Sequence, residues 1–245
     1  MERMELIVER PNKQIFRRGD EKVKCFAEGV PAGDVLSEAL NQALAQEAGL
    51  PVPPLREVTK HDGRWAIISE FIEGETLLAQ MQARPGDESL MVRFVALQMQ
   101  VHAAQNFKLR RQKDKLHRQI SASGLDATTR YELHVRLDAM PDHQKVCHGD
   151  FVPSNVVVRG TRAFIIDWAH ITQGCAAADA ANTHITLCKQ SHFALAEQYL
   201  KCYCEQSDTA LQYIRRWLPI VAGAHLAGCL PGDRAFYQGY CDGVV

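Results

Sequence analysis

The chain has 245 residues, of which 46% are hydrophobic and 23% charged, a composition typical of a folded globular protein and not of a disordered one. This length is enough for one large domain or two small lobes, each with its own core. The formal net charge of -1 excludes a strong electrostatic field for nucleic acid or an anionic membrane, so neither is expected as a partner.

The sequence predicts neither an export signal nor a membrane span. Residues 1–13 lack the apolar core of a signal peptide, and the weakly polar run 218–230 is too short to cross a bilayer. Eight cysteines are present without a Cys-x-x-Cys pair, and a chain of this length does not need disulfides to hold a core. We therefore expect reduced thiols and a cytoplasmic location.

The N-terminal part begins with a predicted hairpin over residues 14–26. Its turn contains Gly19, which permits a positive φ. In the second strand, Lys22 and Lys24 are two positions apart and therefore lie on the same face. Either lysine can face a ligand, or both can be solvated.

A helix is predicted over residues 34–48 from its apolar periodicity, and Glu38 lies near its start. Two more strands are expected at residues 55–59 and 65–71, with an extended segment after them. From Thr76 onward the patterns are mostly helical. The predicted helices are 88–104, 126–138, 176–189, 194–205 and 209–227, and a strongly basic stretch covers 110–121.

The stretch 147–168 has the strongest chemical signal in the chain. It contains His148-Gly149-Asp150, then Asn155 five positions after Asp150, then Asp167 twelve positions later. Such a layout offers one carboxylate to accept a hydroxyl proton, with an amide and a second carboxylate to hold a metal. Oxygen ligands of this kind suit a hard cation such as magnesium.

The spacing between Asn155 and Asp167 has a geometric reason. Residues 156–158 and 163–166 are apolar runs around a short polar turn, which predicts a hairpin. A hairpin brings the residue that enters its first strand beside the residue that leaves its second strand. Both side chains can therefore reach one metal ion.

The sequence Val146-Cys147-His148-Gly149-Asp150-Phe151-Val152-Pro153-Ser154-Asn155, followed by Ile166-Asp167-Trp168, resembles the aminoglycoside phosphotransferase and choline kinase-like family, in particular a bacterial subgroup of it. The motif of this family is H-G-D-x-x-x-x-N followed by I-D-W or I-D-F. Many members have His where this chain has Val152, which is a departure from the pattern. The resemblance extends over residues 16–227.

The resemblance implies a role for each matching residue. Asp150 is the expected catalytic base, and Asn155 and Asp167 are the expected Mg2+ ligands. Lys24 is expected to hold the α- and β-phosphates of ATP and Glu38 to orient it, although Lys22 remains a competitor. His148 and Asp179 are expected to support the catalytic loop.

The resemblance also implies an α+β, two-lobed protein-kinase-like fold, with a small β-rich N-lobe over residues 1–73 and a larger helical C-lobe over 74–245. ATP is expected between the lobes, with the backbone of Glu70 and Ile72 at the adenine edge. Ser69 is expected at the back of that pocket.

The function expected from these residues is transfer of the γ-phosphoryl group of ATP to a hydroxyl of a small molecule. An aminoglycoside, an amino alcohol and a sugar-like acceptor all remain open. Two alternatives are a nucleotide-binding pseudokinase without activity and a protein kinase. The intact set of Asp150, Asn155 and Asp167 argues against the first. Against the second, only twelve positions separate Asp167 from Asp179, too few for a peptide-binding segment.

Overall fold

The computed structural model of the chain describes residues 4–105 and 108–243, which divide into two compact units. The first unit runs to Pro85 and also includes Pro153–His170. The second has residues 86–152 and those from Ile171 onward. The lobe boundary expected after residue 73 stays a prediction.

The helices and strands, numbered in chain order, begin with those before the catalytic loop: β1 (Glu5–Arg10), β2 (Lys13–Arg18), β3 (Glu21–Phe26), α1 (Ala32–Glu47), β4 (Leu55–His61), β5 (Arg64–Glu70), β6 (Glu75–Thr76), α2 (Leu77–Ala83), α3 (Glu88–Ala103), α4 (Gln112–Ser121), α5 (Ala127–Asp138) and β7 (Lys145–Cys147). The rest are β8 (Val156–Arg159), β9 (Arg162–Ile165), β10 (Thr172–Gly174), α6 (Ala176–Lys189), α7 (Phe193–Ser207), α8 (Leu211–His225) and α9 (Arg234–Cys241).

The first unit contains a five-stranded antiparallel sheet in the order β1-β2-β3-β5-β4. Strands β3 and β5 are central, and their alternating side chains are buried on both faces. On one face, α1 packs Val35 and Ala39 against Phe26 and Ile67. This packing fixes the position of α1 relative to β3, which matters for the site below.

A second, three-stranded sheet in the first unit has the order β6-β8-β9. The segment before β6 passes very close to β8, since a Cβ on Gly74 would lie 2.1 Å from the carbonyl oxygen of Val158. Only glycine permits that approach. The amide of Ile165 donates to Pro51 O at 2.7 Å, which joins the β8–β9 hairpin to the chain after α1.

The second unit is helical, with one short sheet of β7 and β10. Helix α6 is buried along most of its length, and its alanines let α7 and α8 pack closely against it. Phe94 of α3 stacks on Phe151 of the catalytic loop with ring centroids 4.8 Å apart. The fold thus anchors that loop in the centre of this unit.

Most predicted elements are confirmed, with ends displaced by a few residues. Helix α8 continues through Pro219. The elements that were missed include β1, β10 and α9. All eight cysteines are free thiols. Among the helices that the structure describes, none combines the length and apolar character needed to cross a bilayer.

Candidate active site

Lys24 of β3 is the central cation of the first unit and is only 5% exposed. Its ammonium forms a short ion pair with Glu38 of α1 and lies 3.3 Å from Asp167 Oδ1. Burial lowers the pKa of Lys24, but the charges of Asp167 and Glu38 outweigh that effect and raise it. The lysine therefore stays protonated at neutral pH.

Asp167 follows β9 and has a φ of 65°, in the left-handed region that few residues other than glycine adopt. The amide of Ile166 donates to Asn155 O at 2.9 Å, so the hairpin brings the residues before β8 and after β9 together, as predicted. A residue whose unusual backbone conformation is fixed by neighbouring hydrogen bonds is typical of functional sites.

Asp167 is surrounded by cations. Lys13 of β2 lies 3.0 Å from its Oδ2, while Lys24 is at Oδ1. Burial raises the pKa of Asp167, but the charges of Lys24 and Lys13 hold it well below its ordinary value. The carboxylate is therefore ionised and able to bind a cation.

Lys22, the competing lysine, pairs across the sheet with Ser69 of β5. Burial lowers its pKa to about 8, and the charge of Lys24 adds to the effect. Of the two candidates, Lys24 makes the ion pair with Glu38. Lys22 contributes a second, more easily neutralised ammonium to the same face of the strand.

The residues expected at the adenine edge lie at the end of β5. Ser69 is fully buried, and its Oγ has no hydrogen-bond partner among the described residues. Glu70 donates its backbone N–H to Pro54 O at 2.9 Å, so this N–H is already used within the protein. The side chain of Glu70 pairs with Arg159 at 2.8 Å. A buried hydroxyl without a partner is costly, and a ligand can relieve that cost.

In the second unit, Asp179 of α6 holds the catalytic loop. Its carboxylate accepts the backbone N–H of Gly149 at 2.8 Å and that of His148 at 3.3 Å. His102 of α3 lies 3.0 Å away. Burial raises the pKa of Asp179, but the hydrogen bond and charge of His102 and the Gly149 N–H outweigh that effect and lower it. The buried group is therefore a carboxylate with several hydrogen-bond donors.

Asp150 itself is half-buried, between Gly149, which has a φ of 78°, and the buried ring of Phe151. Its backbone N–H donates to Nδ1 of His148 at 3.3 Å. The loop is therefore fixed by backbone contacts before and after Asp150.

The metal-ligand set is small. Among residues 4–105 and 108–243, no group of three or more His, Cys, Asp or Glu side chains could hold a metal ion. Asn155 and Asp167 supply one amide and one carboxylate. Mg2+ often has few protein ligands and completes its shell with water and phosphate oxygens, so this donor set fits magnesium bound together with a nucleotide.

The family model described as Phosphotransferase enzyme family (APH) matches residues 12–217. The chain belongs to this family. No curated protein sequence matches the chain. The match includes every residue that the sequence analysis assigned to the site.

Solved structures similar to this phosphotransferase include an aminoglycoside phosphotransferase and choline kinase-like proteins. APH(4)-Ia, crystallised as a thermostable mutant with AMP-PNP and hygromycin B, has a TM-score of 0.73 and 18% identity over 99% of this chain and 92% of that one. Choline kinase LicA from Streptococcus pneumoniae has a TM-score of 0.68 and 16% identity, over 99% and 92%. A choline/ethanolamine kinase family protein from Mesorhizobium loti has a TM-score of 0.66 and 17% identity, over 98% of this chain and 85% of that one.

These findings confirm the predicted kinase-like α+β fold, with a β-sheet N-terminal region and a helical C-terminal part. The family match also confirms the predicted phosphotransferase class. The individual residue roles stay predictions.

Three residues of this phosphotransferase site were missed in the sequence. They are Lys13, which contacts Asp167; His102, which contacts Asp179; and Asn182, whose Nδ2 donates to Gly149 O at 3.1 Å. Lys13 pairs with Phe26, two positions after Lys24, so strand alternation places Lys13 and Lys24 on the same face of the sheet. This pattern could have indicated Lys13. For the other two, the contacts are long-range and leave no local pattern.

Proposed function

We propose that this chain transfers the γ-phosphoryl group of ATP to the hydroxyl of a small molecule, with Mg2+ as the metal. The observation that carries the proposal is the buried Lys24, in contact with both Glu38 and Asp167. A lysine held between two carboxylates has little use in a structural core, because three charges are desolvated together. It suits a site where phosphates replace part of those contacts.

A nucleotide as the donor is supported by two further observations. The buried, unpartnered Oγ of Ser69 lies at the end of the same sheet, where a base can use it. The similar APH(4)-Ia was crystallised with the ATP analogue AMP-PNP. Lys24 would hold the phosphates, oriented by Glu38, and the half-buried Lys22 would add positive charge beside them.

Asn155 and Asp167 would hold Mg2+. When bound, the ion would neutralise phosphate charge and hold the phosphates in a fixed orientation. Asp167 is ionised and Asn155 is held by the same hairpin, so both ligands are in a state that a cation can use.

Asp150 would orient the acceptor hydroxyl and accept its proton as the oxygen attacks the γ-phosphorus. Asp179 and Asn182 fix the backbone of Gly149, which leaves Asp150 little freedom to move. Positioning of this kind supplies much of the acceleration in phosphoryl transfer.

A small molecule is favoured over a protein as acceptor because β10 and α6 follow Asp167 almost at once. The segment between Asp167 and α6 is therefore too short to form a peptide-binding segment. The eight free thiols also support the proposal that the enzyme works in the reducing cytoplasm.

The test is ATP consumption with Mg2+ against a panel of aminoglycosides, amino alcohols, sugars and hydroxy acids, beside labelled ATP with a cell lysate. We expect phosphorylation of at least one small molecule by the wild type, and a rate lower by about 100-fold or more with Asp150→Asn. Specific labelling of lysate proteins without any turnover of small molecules would contradict the proposal. Nucleotide binding without any transfer would support a pseudokinase.

A further inference from the structure

The carboxylate of Asp167 is in contact with two lysines, and all three residues belong to the first unit. Lys13, the first residue of β2, lies 3.0 Å from Oδ2, and Lys24 of β3 lies 3.3 Å from Oδ1. Each carboxylate oxygen therefore has an ammonium beside it. A metal ion that binds Asp167 has to replace one of these contacts, because its charge is repelled by an ammonium on the same carboxylate.

Lys24 is held in place by further contacts. Its ammonium forms the short ion pair with Glu38 and lies 5.4 Å from the centre of the Phe26 ring. The side chain of Lys24 is only 6% exposed. If Lys24 moved away, the buried carboxylate of Glu38 would lose the partner of its ion pair, which is costly. Lys24 is therefore the lysine that stays.

The contacts of Lys13 are different. Its side chain is 21% exposed, and within the part of the chain that the structure describes, Asp167 is the partner of its ammonium. Its backbone is fixed, since it follows the Pro11-Asn12 turn, where the N–H of Ala27 donates to Asn12 O at 3.0 Å. Movement of the ammonium thus requires only rotation of the side chain. Lys13 can leave Asp167 without breaking a second ion pair.

The ion pairs around Asp167 are balanced in charge. Two ammonium groups, those of Lys13 and Lys24, contact two carboxylates, those of Glu38 and Asp167. A divalent metal ion by itself adds positive charge to this balanced set. A complex of the metal with a nucleotide also adds phosphate oxygens, and an ammonium that has left Asp167 can bind one of them with a charge-assisted hydrogen bond.

We propose that Lys13 exchanges partners when the nucleotide binds: it leaves Asp167 as Mg2+ binds that carboxylate, and it then binds a phosphate oxygen of the nucleotide. The inference rests on the proposed phosphotransfer, in which Asp167 is a metal ligand. Two consequences follow. Lys13 weakens the binding of a metal ion to the protein alone, because it competes for Asp167, and it strengthens the binding of the metal–nucleotide complex.

Binding measurements without turnover test this exchange. Mn2+ serves as a spectroscopic probe for the metal, and its binding to the protein without nucleotide is followed by electron paramagnetic resonance. AMP-PNP binding is followed by calorimetry, once with saturating Mg2+ and once with EDTA. Lys13→Met keeps the length of the side chain and removes its charge, and Lys13→Arg keeps the charge. The control is Lys60→Met, at an exposed lysine of β4 in the same sheet.

We expect two effects of opposite sign in Lys13→Met. The affinity for Mn2+ without nucleotide should rise by about 10-fold, because the competing ammonium is removed. The affinity for AMP-PNP with Mg2+ should fall by about 10- to 100-fold, the scale of one charge-assisted hydrogen bond. With EDTA the fall should be less than about 3-fold, because Lys13 then stays on Asp167.

The other variants show whether these effects belong to Lys13 and Asp167. The gain in Mn2+ affinity should disappear in the Lys13→Met/Asp167→Asn double variant, because the metal ligand is removed. Lys13→Arg should lie closer to the wild type than Lys13→Met in all three measurements. Lys60→Met should stay within about 2-fold of the wild type, since its lysine is exposed and distant in the sheet order from β2.

Lack of any gain in Mn2+ affinity in Lys13→Met would overturn the exchange, as would a fall in AMP-PNP affinity that is equally large with EDTA. Weaker binding of both metal and nucleotide would also overturn it, since Lys13 would then support the fold. Absence of AMP-PNP binding to the wild type with Mg2+ counts against both this inference and the proposed function. The two opposite effects without transfer to any acceptor would support the exchange and contradict the proposed function.

Discussion

The ammonium of Lys24 lies 3.3 Å from a carboxylate oxygen of Asp167, although 143 positions separate the two residues. This contact joins the central strand of the five-stranded sheet to the end of the β8–β9 hairpin. Each charge raises the fraction of the other in its ionised form, since the pKa of Lys24 is raised and that of Asp167 lowered. The contact is thus a charge pair that is already formed in the protein. Under the proposed function, Lys24 would bind phosphate and Asp167 would bind the metal ion.

The first prediction separates the two lysines of β3. Lys24→Ala should lower kcat/KM for ATP by about 100-fold, the scale of one lost electrostatic donor in an active site. Lys22→Ala should cost far less, because the ion pair with Glu38 is made by Lys24. Steady-state kinetics with varied ATP measures both. If Lys22→Ala causes the larger loss, the assignment of Lys24 and Glu38 is wrong.

The second prediction concerns Asp150. Asp150→Asn keeps the size of the side chain and removes its basicity, so transfer should fall by about 100-fold or more. Nucleotide affinity, measured by calorimetry with AMP-PNP, should stay within about 2-fold, because the proposed phosphate contacts are on Lys24. Normal transfer in this variant would exclude Asp150 as the base.

Much of the site could be predicted from the sequence because its key residues lie in local elements with strong patterns. Asn155 and Asp167 are brought together by one hairpin, whose apolar runs and polar turn are visible in the sequence. The pair Lys24 and Glu38 required a resemblance to a known family, since a strand and the next helix can pack in several ways. The fold class came from the same resemblance.

The rest depends on contacts between residues far apart in the chain. Strand β1 was missed because it is an edge strand, with Leu6 and Ile7 nearly half exposed and no clear inward face. The charge composition of the basic stretch 110–121 favours a solvated face, yet Lys115 within it is half-buried. Charge composition alone cannot distinguish these cases, since long side chains can bury their stems.

The third prediction tests the support of the catalytic loop. Asp179→Ala removes the buried carboxylate that accepts the Gly149 N–H and contacts His102, so it should lower the free energy of unfolding by about 2–4 kcal/mol. Urea unfolding measures the loss, with the exposed Glu197→Ala as control, expected within about 0.5 kcal/mol of the wild type. A loss as small as that of the control would mean that the loop is held by other contacts.

The fourth prediction concerns stability at mildly acidic pH. Burial, with the charges of Lys115 and Lys189, lowers the pKa of His225 from 6.5 to about 4. Between these values the unfolded chain binds a proton that the folded chain does not. The free energy of unfolding therefore falls as the pH decreases through this window. His225 contributes about one proton to the difference in bound protons that sets the slope of the free energy of unfolding against pH.

His225→Gln keeps a donor for Asn182 and removes the titration, so this contribution should disappear. Urea unfolding at several pH values between 7.5 and 4.5 measures the slope, and the exposed His143→Gln serves as control. Other histidines with lowered pKa, His134 and His184, leave a residual slope in both variants. A slope in His225→Gln equal to that of the wild type would show that His225 is protonated equally in both states. The physical basis of the prediction, a neutral imidazole held between Asn182 and two lysine charges, would then be wrong.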